Sequence, residues 1–494
     1  MIFLFIALPL VVAGILPLVG KVSPRVLPDI LANAVFATLL AVALLSGPSL
    51  AGQGAGLGPL VFLGEPLGVH LALDGFSLFI LIVVSLVGLC IGLFSVKYME
   101  HYGHKAVYYA LLLIMTAGMN GLVLVTDLFQ VYLFLEVAAI ASYALVAYGL
   151  GHDELEASFK YLMLSAVASA FIIISVTLLF GLTGSLDFAS VGRGLRGLDQ
   201  PLVSALCAAL FLVGFGLKAA LIPFHAWLPD AHPSAPAPIS AALSGLLIKV
   251  SGIYALTRIF FKVFGLTPAL SDALMILGVV SMVAAALLAL GQKDIKRMLA
   301  YSSISQVGYI VLGIGLGTPL GILGGLFHLL NHALAKSLLF LNSGSIQMAA
   351  GTRNLEEMNG LSRKMPVTAA TTLVGSLSIA GVPPLNGFWS KLIIVVALVQ
   401  AKRFGFALAA ILASVLTLWY YLIIQRRAFF NKPDAKWRDV REAPFLMTAA
   451  TVVLALLCIV IGIFFTATIS TWIEPARDAL AEGLQVIQSS IGNQ

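Results

Sequence analysis

The sequence predicts an all-α, polytopic membrane protein of about fourteen transmembrane helices, and three observations carry that prediction. The chain is 60% hydrophobic and only 10% charged, against roughly 25% charged for a typical soluble domain. Its mean hydropathy is +1.04, and apolar runs long enough to cross a ~30 Å hydrocarbon core recur over its whole length. The remaining charge is sorted by position. Of 28 Lys and Arg, 24 fall in loops or at the ends of apolar runs, while Lys218, Lys249, Lys336 and Lys391 lie inside runs that otherwise read as membrane-spanning. One acid, Glu136, does the same.

The segments follow in order. Segment 1 (2–20) lacks the basic leader and small-residue cleavage site of a signal peptide, so it reads as the first crossing. Segments 2 (28–46), 3 (74–96) and 4 (106–126) are apolar runs with charge only at their ends. Segment 5 (128–149) carries Glu136, segment 6 (157–181) starts beside Lys160, segment 7 (204–226) carries Lys218 and segment 8 (238–261) carries Lys249. Segments 9 (272–290), 10 (298–317) and 11 (320–342) follow, with Lys336 in the last. Segment 12 (366–400) is long because it contains a break, and segments 13 (404–425) and 14 (445–468) complete the series.

Loop charge gives an orientation. Loops after segments 1, 3, 5, 9, 11 and 13 carry 17 Lys and Arg, counting Lys160; the other side carries seven: Arg193, Arg196, Arg258, Lys262, Lys402, Arg403 and Arg477. The positive-inside rule then expects a multi-pass protein of the cell inner (cytoplasmic) membrane with both termini on the outer side. The loop from Arg426 to Arg441 holds six basic residues; a topology anchor explains it better than a docking surface. A sequence pI near 9.1 is therefore no sign of nucleic-acid binding. Cys90, Cys207 and Cys458 each stand alone in apolar segments, which argues against disulfide, iron–sulfur and zinc roles.

Two segments are interrupted at matching places. Lys218-Ala-Ala-Leu-Ile-Pro223-Phe-His225 runs on to Pro229, Pro233, Pro236 and Pro238, five prolines in sixteen residues, which no regular helix accommodates. Gly381-Val-Pro383-Pro384-Leu-Asn-Gly387-Phe-Trp-Ser-Lys391 breaks segment 12. Paired broken helices are the sequence pointer to inverted repeats. Segments 4–8 and 9–13 would be the two copies, and five crossings, an odd number, turn the second upside down. The expected organisation is 1–100 for helices 1–3, 105–264 for the first repeat, 270–425 for the second, and 426–494 for the cytoplasmic loop, helix 14 and tail.

An ionisable group in a bilayer costs at least ~2.5–3.5 kcal/mol and marks an ion or proton path. Glu136 stands among apolar residues, so it must be neutral or paired; a buried amine such as Lys218 is neutral unless a carboxylate keeps its proton in place. Together they make a switch or a static ion pair. In segment 11, His328, His332 and Lys336 at i, i+4 and i+8 share an arc of about 80°. Such a stripe suits a proton relay, metal binding or polar packing; the lack of a nearby acid and the cation in third place favour the relay. Ser302, Ser305, Gln306 and Tyr309 form an uncharged face on segment 10 that either organises water or bonds neighbouring helices. Lys249 and Lys391 complete the row. His225 and His232, with Pro223 and Pro384 at the breaks, are candidates for access or gating. Asp127 and Asp230 lie near segment ends and read as helix caps.

Three long stretches carry a resemblance. Phe215-Gly-Leu-Lys218 through Pro223-Phe-His225-Ala-Trp-Leu-Pro-Asp230-Ala-His232-Pro, His328-Leu-Leu-Asn-His332-Ala-Leu-Ala-Lys336, and Gly381-Val-Pro-Pro-Leu-Asn-Gly-Phe-Trp-Ser-Lys391 occur in the order that resembles one family. It comprises the antiporter-like, proton-conducting membrane subunits of respiratory complex I, Mrp-type Na⁺/H⁺ antiporters and membrane-bound energy-converting hydrogenases. The resemblance implies two five-helix bundles, each a proton half-channel. Glu136 is then the helix-5 glutamate, Lys218 and Lys249 the helix-7 and helix-8 lysines, and Lys391 the helix-12 site, where some members carry glutamate. Lys391 and the length near 490 resemble the D-type member of Mrp antiporters, whereas the Pro223–Pro233 stretch resembles complex I and hydrogenase members. About 25 residues follow segment 14, which argues against the distal member of complex I with its long lateral helix.

The expected function is ion translocation, with protons moving through Glu136, Lys218, Lys249, His328, His332, Lys336 and Lys391. No flavin, haem or iron–sulfur motif is present, so no cofactor and no catalytic residue is expected. Redox chemistry would belong to cytoplasmic or peripheral partner subunits, alongside neighbouring antiporter-like membrane subunits. The alternative is a D-type component of an Mrp Na⁺/H⁺ antiporter without redox chemistry.

Overall fold

The computed structural model describes residues 1–23, 25–51, 57–62, 69–197, 200–430 and 437–481. Among them, thirteen helices are long and apolar enough to cross a membrane. Two shorter apolar helices, Pro366–Ala380 and Asn386–Gln400, form the two halves of segment 12. The fourteen segments expected from the sequence are all there.

Local chemistry sets where they start and stop. Asp127 accepts from Phe129 N and Gln130 N and caps segment 5. Asp294 caps segment 10 through Lys296 N and Arg297 N. Thr267 and Thr318 do the same for segments 9 and 11, so donors left over at each helix start are satisfied. Gly184 and Gly351 end segments 6 and 11 in the left-handed conformation, where a side chain would be strained.

Several boundaries differ from those expected. Segment 6 spans His152–Thr183 and segment 11 Pro319–Ala350, 32 residues each, because their polar ends continue the helix beyond the apolar run. Segment 8, Ala237–Phe264, is wound as a π-helix over Leu243–Tyr254. The loop before segment 3 forms an antiparallel hairpin of β1 (Leu57–Phe62) and β2 (Val69–Leu73), with Val61 opposite His70. In the basic loop Arg426–Arg441, residues 431–436, including Lys432, lie outside the described residues, as do 482–494 of the C-terminal tail.

Segments 8 and 11 form the centre: every residue from Gly321 to Ile346 is buried, as is every residue from Ala237 to Ile259. Apolar side chains on segments 1, 2, 9 and 13 point outward, as lipid-facing walls must. Small residues set the spacing between helices. A Cβ on Gly308 would lie 2.5 Å from the Gly278 carbonyl, so segments 9 and 10 cross as closely as their backbones allow. Broken helix 7 is fourth in segments 4–8, and broken helix 12 is fourth in segments 9–13.

Candidate functional site

Segment 7 is helical over Pro201–Lys218, and Lys218 is the last residue before the break. The carbonyl end of a helix favours a cation, and this half-helix supplies one from its own chain. The structure brings Glu136 to it: Lys218 Nζ lies 3.6 Å from Glu136 Oε1. Two serines of segment 6, which sequence reasoning passed over, join the pair. Lys218 donates to Ser165 Oγ at 2.5 Å, Tyr143 also donates to Ser165 Oγ at 2.5 Å, and Ser169 donates to Glu136. Lys218 is buried, but the Glu136 side chain is 26% exposed. It lies on the wall of a lateral cavity of about 470 Å³ lined also by Ile140, Tyr143 and Leu162. The expectation of apolar surroundings is corrected there: Ser169 and Lys218 meet the carboxylate on one side, and it is part-exposed on the other.

The freed backbone at this break is satisfied locally. Ile222 N donates to Ser281 Oγ at 2.9 Å and Trp227 Nε1 to the Leu217 carbonyl at 3.0 Å. Pro223 is exposed and His225 half-buried, the latter with its ring 6.3 Å from that of Tyr301. His232 is fully buried. Asp230 does not cap a helix as expected; it pairs with Lys160 at 3.3 Å and Arg297 at 3.5 Å.

The centre of the row lies between segments 8, 10 and 11. Lys249 is 1% exposed and donates to the Ser244 carbonyl. His332 is fully buried, within electrostatic reach of Lys249, Lys336 and His328. Lys336 donates to the Leu299 carbonyl at 3.1 Å and to Tyr421 OH at 2.9 Å. His328 holds Ser390 Oγ at Nδ1, 3.0 Å, and Gln306 Oε1 at Nε2, 3.2 Å. The uncharged face of segment 10 divides accordingly. Gln306 and Ser302 face the row, the latter 3.0 Å from Tyr421; Ser305 donates to the Met282 carbonyl on a neighbouring helix; Tyr309 does both, donating to the Ala410 carbonyl while its ring lies 5.4 Å from that of His328.

At the second break Lys391 reaches back to the carbonyl end of the preceding half-helix, 3.4 Å from Ala380 O, and lies 3.3 Å from Ser414 Oγ. Its ammonium sits 4.6 Å from the centre of the Tyr309 ring, a cation–π distance. Gly381 has φ +86°, and a Cβ there would lie 3.0 Å from Lys391 Cδ; the turn and the lysine stem both require glycine. Pro384 is exposed.

Lys218, Lys249, His328, Lys336 and Lys391 are all at most 5% exposed; none points into lipid. The sorting of charge by sequence position was incomplete, however. Lys105, Arg258 and Lys296, assigned to loops or segment ends, are buried as well. Arg258 pairs with Asp74 at 2.5 Å and donates to Tyr254 OH at 2.8 Å, tying segment 3 to segment 8; Lys105 pairs with Asp29 at 2.8 Å. Among the described residues no cluster of His, Cys, Asp and Glu could hold a metal ion.

Comparison with known proteins agrees with this architecture. Residues 125–417 match the family described as NADH:quinone oxidoreductase/Mrp antiporter, TM, and residues 65–109 match NADH-Ubiquinone oxidoreductase (complex I), chain 5 N-terminus. The NADH-quinone oxidoreductase N subunit of Desulforudis audaxviator is 34% identical over 83% of this chain and 85% of its own length. The Na(+)/H(+) antiporter D subunit of Alkalihalophilus pseudofirmus is 36% identical over 74% of each. A chain of the membrane-bound sulfane sulfur reductase, an archaeal respiratory membrane complex, superposes with a TM-score of 0.90 at 30% identity, covering 98% of this chain and 99% of that one. This chain belongs to the NADH:quinone oxidoreductase/Mrp antiporter family of membrane subunits.

Proposed function

We propose that the chain is a proton-translocating subunit of a redox-driven membrane complex, with its ions moving along the row from Glu136 and Lys218 through Lys249, His332, His328 and Lys336 to Lys391. The carrying observation is the Glu136–Lys218 contact at 3.6 Å, in a chain whose other predicted relay bases, Lys249, His328, His332, Lys336 and Lys391, are all buried. With Glu136 close, Lys218 keeps its proton; with Glu136 withdrawn, the amine passes it inward. Residues 105–264 and 270–425 act as the two half-channels in this reading. Redox relatives support the driving reaction, and electron transfer belongs to partner subunits, since the chain itself has no cofactor motif.

Other membrane subunits of the same complex are the proposed neighbours. The relatives' own assemblies support this, since the similar structures are of multisubunit membrane complexes. Loop charge supports the cytoplasmic (inner) membrane, with both termini outside. A second reading, a D-type Na⁺/H⁺ antiporter component without redox chemistry, is favoured by Lys391 and by the similarity to the antiporter relative.

Proton uptake into vesicles holding the assembled complex tests the proposal. Glu136→Ala and Lys218→Ala should each abolish translocation with insertion and assembly intact. Normal pumping by both would leave only a structural ion pair.

A further inference from the structure

Of the three buried cations outside the row, Lys105 and Arg258 are paired with carboxylates, whereas Lys296 has no ion pair among the described residues. Lys296 stands in the first turn of segment 10, is 1% exposed, and donates to the Ala235 carbonyl at 2.7 Å. It borders a cavity of about 460 Å³, lined also by Glu154, Asp294, Gln347 and Arg353. A second cavity, of about 290 Å³, shares Asp294 and Arg353 with the first and adds Lys160, Asp230 and Arg297. Their lining is rich in charge, as a wet vestibule on the basic, cytoplasmic side would be.

The Ala235 carbonyl that Lys296 holds lies three residues after His232. His232 is 0% exposed, and neither ring nitrogen has a hydrogen-bond partner among the described residues. A buried polar group without a partner costs about 1–3 kcal/mol. Its ring stacks on Phe340 at 4.4 Å, one helical turn beyond Lys336 on segment 11. Lys296, Lys336 and Lys249 all act on His232 electrostatically. A titratable group therefore stands between a polar cavity and the lysine row, and a second one with both nitrogens free stands behind it. Holding the Ala235 carbonyl alone would need only a neutral donor, without the cost of burying a charge.

We propose that Lys296 and His232 are the cytoplasmic port through which protons pass from the polar cavity into the central lysines. The ammonium of Lys296 gives one proton to the unprotonated nitrogen of His232; an N–H bond breaks on lysine and one forms on imidazole. The imidazolium releases the proton on its other nitrogen to the neutral amine of Lys336 or Lys249. A proton from the cytoplasmic solution, carried across the cavity as hydronium, then returns to the neutral amine of Lys296 and leaves water behind. This port rests on the proton-translocation reading above and adds to it residues which that reading does not use.

Replacement by arginine separates the port from a structural role. Lys296→Arg keeps the positive charge and a donor for Ala235 O, but a guanidinium does not give up its proton. Translocation by the assembled complex in vesicles should fall about tenfold or more in Lys296→Arg, as in Lys296→Gln. A wild-type rate in Lys296→Arg would reduce Lys296 to a carbonyl clamp and overturn the port. Should the larger guanidinium prevent assembly, Lys296→Cys treated with a charged, membrane-impermeant thiol reagent from the cytoplasmic side decides. Labelling is expected, and protection would overturn the proposal. Lys218→Ala, run in parallel, separates the two readings. Normal pumping there sinks translocation itself, whereas a dead Lys218→Ala beside an active Lys296→Arg sinks the port alone.

Discussion

At the first break Lys218 ends its own half-helix and faces Glu136 at 3.6 Å. At the second, Lys391 reaches back to the half-helix before it and meets the Ala380 carbonyl, Ser414 and the face of Tyr309, with no ion pair among the described residues. Both cations lie against the carbonyl end of a half-helix, so backbone dipoles help to hold each. Beyond that the two sites differ in kind. A carboxylate that can approach and withdraw changes the neighbouring amine's hold on its proton by a large step; neutral oxygens and a π face do so by smaller ones. On the proposed reading, the first bundle switches and the second receives.

Removing each lysine should show this most strongly. Lys218→Met orphans Glu136 and should cost about 2–3 kcal/mol of stability, less than the ~3–5 kcal/mol of a fully buried pair because the carboxylate is 26% exposed. Adding Glu136→Gln should recover much of that loss. Lys391→Met orphans no charge, and its thermal stability should stay within about 1 kcal/mol of wild type. Both variants should lose transport. Equal destabilisation at the two sites, measured by thermal unfolding of the purified complex, would erase the distinction between them.

How far this contrast could be read from sequence depends on where each residue stands. Glu136, Lys218, Lys249, Lys336 and Lys391 are legible because each interrupts a long apolar run, and the two breaks because proline and glycine cannot continue a helix. Lys105, Arg258 and Lys296 are not, since a cation within a turn or two of a segment end looks like a loop charge. Only tertiary packing shows that Asp74 reaches Arg258 or that the Ala235 carbonyl reaches Lys296. Ser165 and Ser169 were invisible for another reason. Membrane helices tolerate serine anywhere, since its hydroxyl can bond the preceding turn, as Ser169 does to the Ser165 carbonyl at 2.9 Å. Asp230 was misread because a carboxylate at a helix start is usually a cap, and nothing local announces Lys160 and Arg297.

Those serines supply a smaller effect. Lys218 donates to Ser165 at 2.5 Å while standing 3.6 Å from the carboxylate, so the serine competes with Glu136 for the ammonium. Ser165→Ala should let the pair close and slow transport about five- to tenfold, equivalent to ~1–1.4 kcal/mol. Ser414→Ala at the second break should slow it only about twofold, because Ala380 and Tyr309 remain. Transport rates at matched assembly would check both. A larger loss from Ser414→Ala than from Ser165→Ala would reverse the assignment of switch and receiver.

The smallest effect belongs to charge of the same type at the membrane surface. Arg403 and Asp272 join the ends of segments 13 and 9 at 2.8 Å, with side chains 44% and 46% exposed. Water solvates both partners whether or not they meet, so what the contact gains is offset by the freedom the side chains lose, above all that of Arg403. Arg403→Ala should therefore change stability by less than about 0.5 kcal/mol and leave transport at its wild-type rate. The Arg403 pair is shorter than the Lys218–Glu136 contact, so distance alone would rank it the stronger. If Arg403→Ala destabilised the protein as much as Lys218→Met, burial would not be what gives the first bundle's pair its weight.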